Sequence, residues 1–240
     1  MTKKPKLLSV VLFTIIMSIF VSSISLGNAA EPPSIVIIVP NAPNNLEISV
    51  GSGDTYKKAG KIDKFIETYY TFYSRDLKMA ADYTFKIETG DINFDITFVK
   101  PVNYHNNIFT LDLDYQTLTP GKLLSRSILL ISLRIILTLI IEAIIFWLYG
   151  FRQKKSWIVF IAINLVTQGA LNIWLNGFTP LESYLIFGLL FAEIFIFIAE
   201  ILLFQVFINE QRKSDRVLYV LVANTLSLIA GGYIITILPI

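Results

Sequence analysis

The chain has no cysteine and a single histidine. Without cysteine there is no disulfide, no thiolate metal site, no cysteine nucleophile and no lipid-modified cysteine. His105 stands alone in the loop-like stretch Asn103-Tyr-His-Asn-Asn, so a zinc site lacks its ligands and the imidazole reads as solvated. HExxH, GxSxG and paired-aspartate patterns are missing as well, which removes the common signatures of hydrolytic sites. No basic block with interleaved aromatics occurs, and this argues against nucleic acid as a partner. No cofactor and no metal site is expected.

What the chain does have is apolar sequence. Of its 240 residues 54% are hydrophobic, and the mean hydropathy is +0.63. Soluble domains hold roughly 45–50% apolar residues, so the composition points to a membrane protein. The formal charge of +2 is unevenly spread. Between Glu31 and Gly121 eight basic residues face twelve acidic ones, leaving that segment near −4. The basic excess lies at the N-terminus and in two short loops.

Lys3, Lys4 and Lys6 precede an apolar run from Leu7 to Val21, and small residues follow up to Ala30. This is the layout of a secretory signal over residues 1–29, with Gly27 and Ala29 at the −3 and −1 positions of a cut before Ala30. The alternative is an uncleaved anchor, because Leu7 to Leu26 almost spans a bilayer. Either way residues 30–121 are delivered outside.

That segment reads as strands separated by turn chemistry. Ser34 to Val39 and Leu46 to Val50 are short and β-branched, and Gly51-Ser-Gly-Asp is a turn. Tyr83, Phe85 and Ile87, then Ile92, Phe94, Ile96 and Phe98, alternate with polar residues around Thr89-Gly90-Asp91, which predicts a hairpin. Phe109, Leu111, Leu113 and Tyr115 share one face of a later strand. The stretch from Lys61 to Ser74 fits helix and strand periods alike, and its aromatic density favours a strand. These faces predict a small all-β domain, a sandwich or a barrel. Asp112 and Asp114 read as a solvated acidic face, with a Ca²⁺ site shared with Asp91 or Asp95 as the alternative.

Residues 122–240 hold four apolar stretches, at about 123–150, 157–175, 183–207 and 217–238, each near the ~20 residues needed to cross a bilayer. Basic residues crowd the loops near 151–156 and 209–216 and are missing from the turn Asn176-Gly-Phe-Thr-Pro. The positive-inside rule places those two loops in the cytoplasm, with residues 30–121 and the C-terminus outside.

Polar residues punctuate these spans at helical spacing. Arg134, Thr138 and Glu142 fall at i, i+4 and i+8 on one face. At ~1.5 Å of rise per residue Arg134 lies roughly 9 Å and Glu142 roughly 21 Å from the outer end of span one. The second span carries Asn164, Thr167, Gln168 and Asn172, the third Glu193 and Glu200, the fourth Asn224 and Ser227. Two layers follow: an outer one of Arg134, Gln168, Asn172 and Glu193, and an inner one of Glu142, Asn164, Glu200 and Asn224. Arg134 is expected to pair with Glu193. Glu142 and Glu200 then lack a cation, so one of them holds a proton or a cation sits between them.

Three uses fit such a network. Polar groups can be interhelical glue worth ~0.6–2 kcal/mol a pair. They can carry protons or cations, although four spans without Gly/Pro-broken helices or inverted repeats argue against a self-contained transporter. Paired glutamates can also activate water for intramembrane hydrolysis.

The run from Arg134 to Asn172 resembles a family of uncharacterised membrane proteins of Gram-positive bacteria, which carry an arginine–threonine–glutamate stripe, a basic loop and an Asn-x-x-Thr-Gln…Asn second span. The matching residues are Arg134, Thr138, Glu142, Asn164, Thr167, Gln168 and Asn172, with Ala192-Glu193, Ala199-Glu200 and Ala223-Asn224 similar in the later spans. The resemblance implies a bacterial cell membrane and brings no activity or ligand. The sequence therefore predicts a membrane α plus β protein, a four-helix bundle behind a small secreted β domain. Its expected role is a non-enzymatic envelope component for binding, sensing or assembly, with the lipid bilayer and another envelope or transporter protein as partners. The alternatives are proton or cation translocation and, after it, intramembrane hydrolysis.

Overall fold

The computed structural model describes residues 34–52, 55–73, 83–90, 92–98, 106–178, 180 and 185–239. The signal-like segment, His105 and Asp91 lie outside the described residues.

Among the described residues nine strands form the first part: β1 Ser34–Pro40, β2 Glu47–Ser52, β3 Thr55–Lys58, β4 Gly60–Asp63, β5 Glu67–Tyr73, β6 Tyr83–Thr89, β7 Ile92–Phe98, β8 Asn106–Asp112 and β9 Thr117–Pro120. They make two sheets, ordered β4-β5-β1-β8-β9 and β3-β2-β6-β7. One apolar core joins them: Ile35, Ile37, Val39, Tyr70, Phe72, Phe109 and Leu111 from the first sheet meet Ile48, Val50, Phe85 and Ile87 from the second. The period-2 alternation produces this, since each strand turns every other side chain inward. β1 is the central strand, antiparallel to β5 and parallel to β8, and Val36 and Ile38 on its other face cluster with Tyr69.

The strand pairings refine several sequence expectations. β6 and β7 form the hairpin, with Thr89 opposite Ile92. Residues 61–73 are not one strand, because Lys64-Phe-Ile interrupts them between β4 and β5, whose Asp63 lies opposite Thr68. Tyr115 does not extend β8. The Asp112 carboxylate accepts the backbone N–H groups of Asp114 and Tyr115, both at 3.0 Å, and this Asx turn ends the strand and leaves Tyr115 exposed. Among the described residues, which exclude Asp91, no group of three or more acidic, histidine or cysteine side chains is placed to hold a metal.

Gly121 turns the chain from sheet to helix. It sits at φ +87°, donates its N–H to the Ile108 carbonyl and accepts the Thr110 hydroxyl, a left-handed geometry that favours glycine. Four helices follow: α1 Leu124–Leu148, α2 Lys154–Asn176, α3 Leu185–Phe207 and α4 Lys213–Ile237. All four are long and apolar enough to cross a membrane, which suggests a multi-pass membrane protein. Each packs on its neighbours in sequence, and α1 closes the ring against α4. Gly150, at φ +85°, ends α1 as a left-handed C-terminal cap.

The bundle is polar inside and apolar outside. Ile136, Ile140, Phe191, Ile194, Ile198 and Leu202 are exposed, whereas Glu142, Asn164, Glu200 and Asn224 are fully buried. That inversion suits helices whose surroundings are hydrocarbon.

Two sets of contacts fix the bundle ends. At the sheet end, Arg126 in the first turn of α1 makes a bidentate ion pair with Glu67 of β5, with Nε to Oε2 at 2.6 Å, and reaches the Tyr69 hydroxyl. Lys122 donates to the carbonyls of Asn176 and Phe178 at 2.9 and 2.7 Å, capping the end of α2, and the Phe65 N–H meets the Ile237 carbonyl. At the opposite, loop end, Glu210 accepts the N–H groups of Arg152 and Gln153 and caps the start of α2, while Gln211 bonds the Gly150 carbonyl. The α1–α2 and α3–α4 loops are thereby tied together.

Candidate functional site in the bundle interior

The buried faces of the four helices stack three layers. Along α1 the inward residues are Arg134, Thr138, Glu142 and Phe146, one helical turn apart. The same spacing on α2 gives Asn172, Gln168, Asn164 and Phe160. α3 contributes Glu193, Glu200 and Phe204, and α4 contributes Ser227, Asn224 and Tyr219.

The layer nearest the sheets surrounds a cavity of about 30 Å³ lined by Arg134, Thr138, Gln168, Asn172, Glu193 and Ser227, with leucines and Gly231 completing its wall. A space of that size admits about two water molecules. Arg134 and Glu193 face the same cavity without forming the ion pair expected of them. The guanidinium instead bonds the Pro239 carbonyl past the end of α4, reaching along the bundle towards its sheet end. A long arginine stem on a helix near an interface extends in that direction, and the carbonyl of a non-helical residue is there to accept it. Arg134 Nε, Gln168 Nε2 and Glu193 Oε2 have no hydrogen-bond partner among the described residues. Asn172 donates to the Gln168 carbonyl of its own helix at 2.9 Å.

The middle layer is tightly bonded. Glu200 accepts from the Thr167 hydroxyl at 2.7 Å and from Asn224 Nδ2 at 2.6 Å. Glu142 accepts from the Ser227 hydroxyl at 3.0 Å. Asn224 and Ser227 are three residues apart on α4, so one helical turn bridges the two carboxyl groups. Ser227 also lines the cavity, which joins the first layer to the second. The sequence layers thus come together, with Arg134–Glu193 as the one pairing that does not.

The third layer, at the loop end, is aromatic. Phe146 stacks on Phe151 at 4.1 Å between centroids and on Phe160 at 4.8 Å, and meets Trp157 and Tyr219 edge-on at 5.1 Å each. Phe204 completes the plug, and Phe146, Phe151, Phe160, Phe204 and Tyr219 are at most 1% exposed. The Tyr219 hydroxyl is a buried polar group of this layer, and Trp157 brings an indole N–H to it.

Sequence reasoning missed the Arg126–Glu67 pair and the aromatic plug. Arg126 and Lys122 are basic residues at an end that the positive-inside rule leaves uncharged, and Glu67 interrupts an aromatic strand. Both were signals of burial with a partner. The density of Phe146, Phe151, Trp157 and Phe160 around one loop was the signal of the plug. No protein-family model, curated protein or solved structure matches the chain.

Proposed function

We propose that this chain is a multi-pass protein of the bacterial cell membrane that presents its β domain outside and serves as a non-enzymatic binding, sensing or assembly component of the envelope. The buried Glu67–Arg126 pair carries the reading, because it couples the sheet to the first turn of α1. A load or ligand on the sheet is then felt by the bundle rather than absorbed by a loose linker. Arg152, Lys154, Lys155, Arg212 and Lys213 at the loop end support a cytoplasmic placement of that end. The resemblance to Gram-positive membrane proteins supports a bacterial envelope.

Proton or cation translocation is the second reading, and the two buried carboxyl groups favour it, Glu142 bonded to Ser227 and Glu200 to Asn224 one turn away on α4. The aromatic layer opposes it, since a dry plug of five buried rings offers no relay towards the loop end. Hydrolysis has less support, because both Glu200 oxygens already accept hydrogen bonds.

Proteoliposomes loaded with a pH-sensitive dye separate the two readings. The expected result is no proton flux above protein-free vesicles under an imposed gradient. Flux that vanishes in a folded Glu142→Gln variant overturns the proposal in favour of translocation. A photo-crosslinker at exposed Asn93 or Thr97 of β7 in the full chain, in cells, is expected to trap a discrete envelope component.

A further inference from the structure

The first sheet turns one face to the helices. Val36, Ile38 and Tyr69 cluster there, and the Tyr69 hydroxyl lies 3.4 Å from the guanidinium of Arg126 in the first turn of α1. β4 is an edge of that sheet, and its Ile62 stands directly opposite Tyr69 in the register. Opposite residues of an antiparallel pair share a face, so Ile62 points the same way as Tyr69. Tyr69 is fully buried, whereas Ile62 is 39% exposed, so the edge strand overhangs the bundle. The turn after β4 carries Phe65, 78% exposed, whose backbone N–H donates to the Ile237 carbonyl at the end of α4. Ile237 and Tyr233, one turn earlier on the same helix face, are exposed as well. Phe65 therefore stands at the end of the exposed apolar flank of α4.

We propose that Ile62 and Phe65 seat the β4–β5 turn in the boundary between the headgroups and acyl chains of the outer leaflet, with phospholipid as the partner. The inference rests on the multi-pass reading of the bundle. From Val217, the first residue beyond the basic turn, to Ile237, α4 rises roughly 30 Å, the thickness of a hydrocarbon core. The Ile237 carbonyl, and with it the Phe65 backbone, is thereby set at the far boundary. Trp174 and Phe178 mark the same boundary at the end of α2, a depth that aromatic side chains favour. A single exposed apolar side chain on a wetted surface needs no explanation. Here two of them overhang the bundle beside the flank of α4 that hydrocarbon covers, and this makes lipid the occupant. Phe65 is two residues from Glu67, so the lipid contact and the buried ion pair with Arg126 hold the same turn.

The chain contains no cysteine, so a bimane label on a single introduced thiol reports one position of the full protein. Phe65→Cys is compared with Asp95→Cys, exposed on β7 of the second sheet, and with Val166→Cys, exposed midway along α2. Each labelled chain is placed in vesicles of phosphatidylethanolamine and phosphatidylglycerol, with iodide on both sides or with nitroxide-bearing lipid. The label at residue 65 is expected to lose at least about half of its emission to a nitroxide near the headgroups and to be shielded from iodide. The label at residue 95 is expected to show the reverse, and that at residue 166 to be quenched by a nitroxide deep in the acyl chains. Lipid quenching at residue 166 together with a residue 65 label that behaves like residue 95 overturns the seating and leaves the multi-pass reading standing. No lipid quenching at residue 166 removes that reading, and the seating with it. A label at residue 65 shielded from iodide and lipid alike puts protein there and also overturns the proposal. Ile62→Cys, labelled in the same way, carries the measurement if Phe65→Cys does not fold.

Discussion

Replacing Glu67 by glutamine keeps the shape of the side chain and removes the charge that faces Arg126. The two side chains are 2% and 6% exposed, so water does not compensate the guanidinium left behind. Breaking a buried pair from one side costs about 3–5 kcal/mol. At roughly 2–4 °C per kcal/mol for a chain of this size, Glu67→Gln should melt roughly 6–20 °C below the wild type. Arg126→Met in the same background removes the stranded charge and should recover most of that loss, because apolar replacements of whole buried pairs are often neutral. The three tryptophans all lie in or beside the helices, at 147, 157 and 174, so their fluorescence follows the bundle while the substitution sits in the sheet. The decisive measurement is the double-mutant cycle by thermal melting in detergent, read by tryptophan emission. A Glu67→Gln shift below about 2 °C, or a double variant as unstable as the sum of the singles, refutes the coupling of sheet and bundle.

Further outcomes follow from the two bundle ends. Phe146→Ala empties the centre of the aromatic plug and should cost about 3–5 kcal/mol in the same melting assay, whereas Phe146→Leu should cost much less. Partial desolvation works against ionising Glu210, but the N–H groups of Arg152 and Gln153, with Ser156, outweigh it and hold its carboxyl below the ordinary carboxylate range. Its stabilising contribution is therefore present at neutral pH and lost as pH falls through that lowered value. Glu210→Gln should cost about 1 kcal/mol or less at pH 7 and flatten the acid limb of the stability profile. Lys122 shows the opposite sign. Burial, with help from the cations of Arg126 and Arg134, lowers its ammonium to about 7. Protonation thus disfavours the folded state, and stability should rise as pH climbs from about 7 towards 10, a rise that Lys122→Met should abolish in pH-dependent melting.

Much of the architecture is legible in the residues because two periods write it. Alternation in Tyr83–Phe98 exposes the hairpin, and the i, i+4, i+8 spacing of Arg134, Thr138 and Glu142 marks an inward face of α1. The short strands β3 and β9 escape that reading, since four residues carry too little pattern, and β4 is not separated from β5 by it. The end of β8 escapes it as well, because an Asx turn at Asp112 is a hydrogen-bond event rather than a hydrophobic one.

The candidate site divides along the same line. Sequence alone decided which residues are polar at which depth, because placing Glu142, Asn164, Glu200 and Asn224 in apolar segments is unfavourable unless they meet inside. Only the tertiary structure decided their partners. Arg134 turns to the Pro239 carbonyl and not to Glu193, one turn of α4 bridges Glu142 and Glu200, and Arg126 finds Glu67 from 59 residues away. Helical rise and period specify depth and face along a single helix. Which side chains touch is set by how four helices rotate against one another and against the sheet, and no local pattern encodes that rotation.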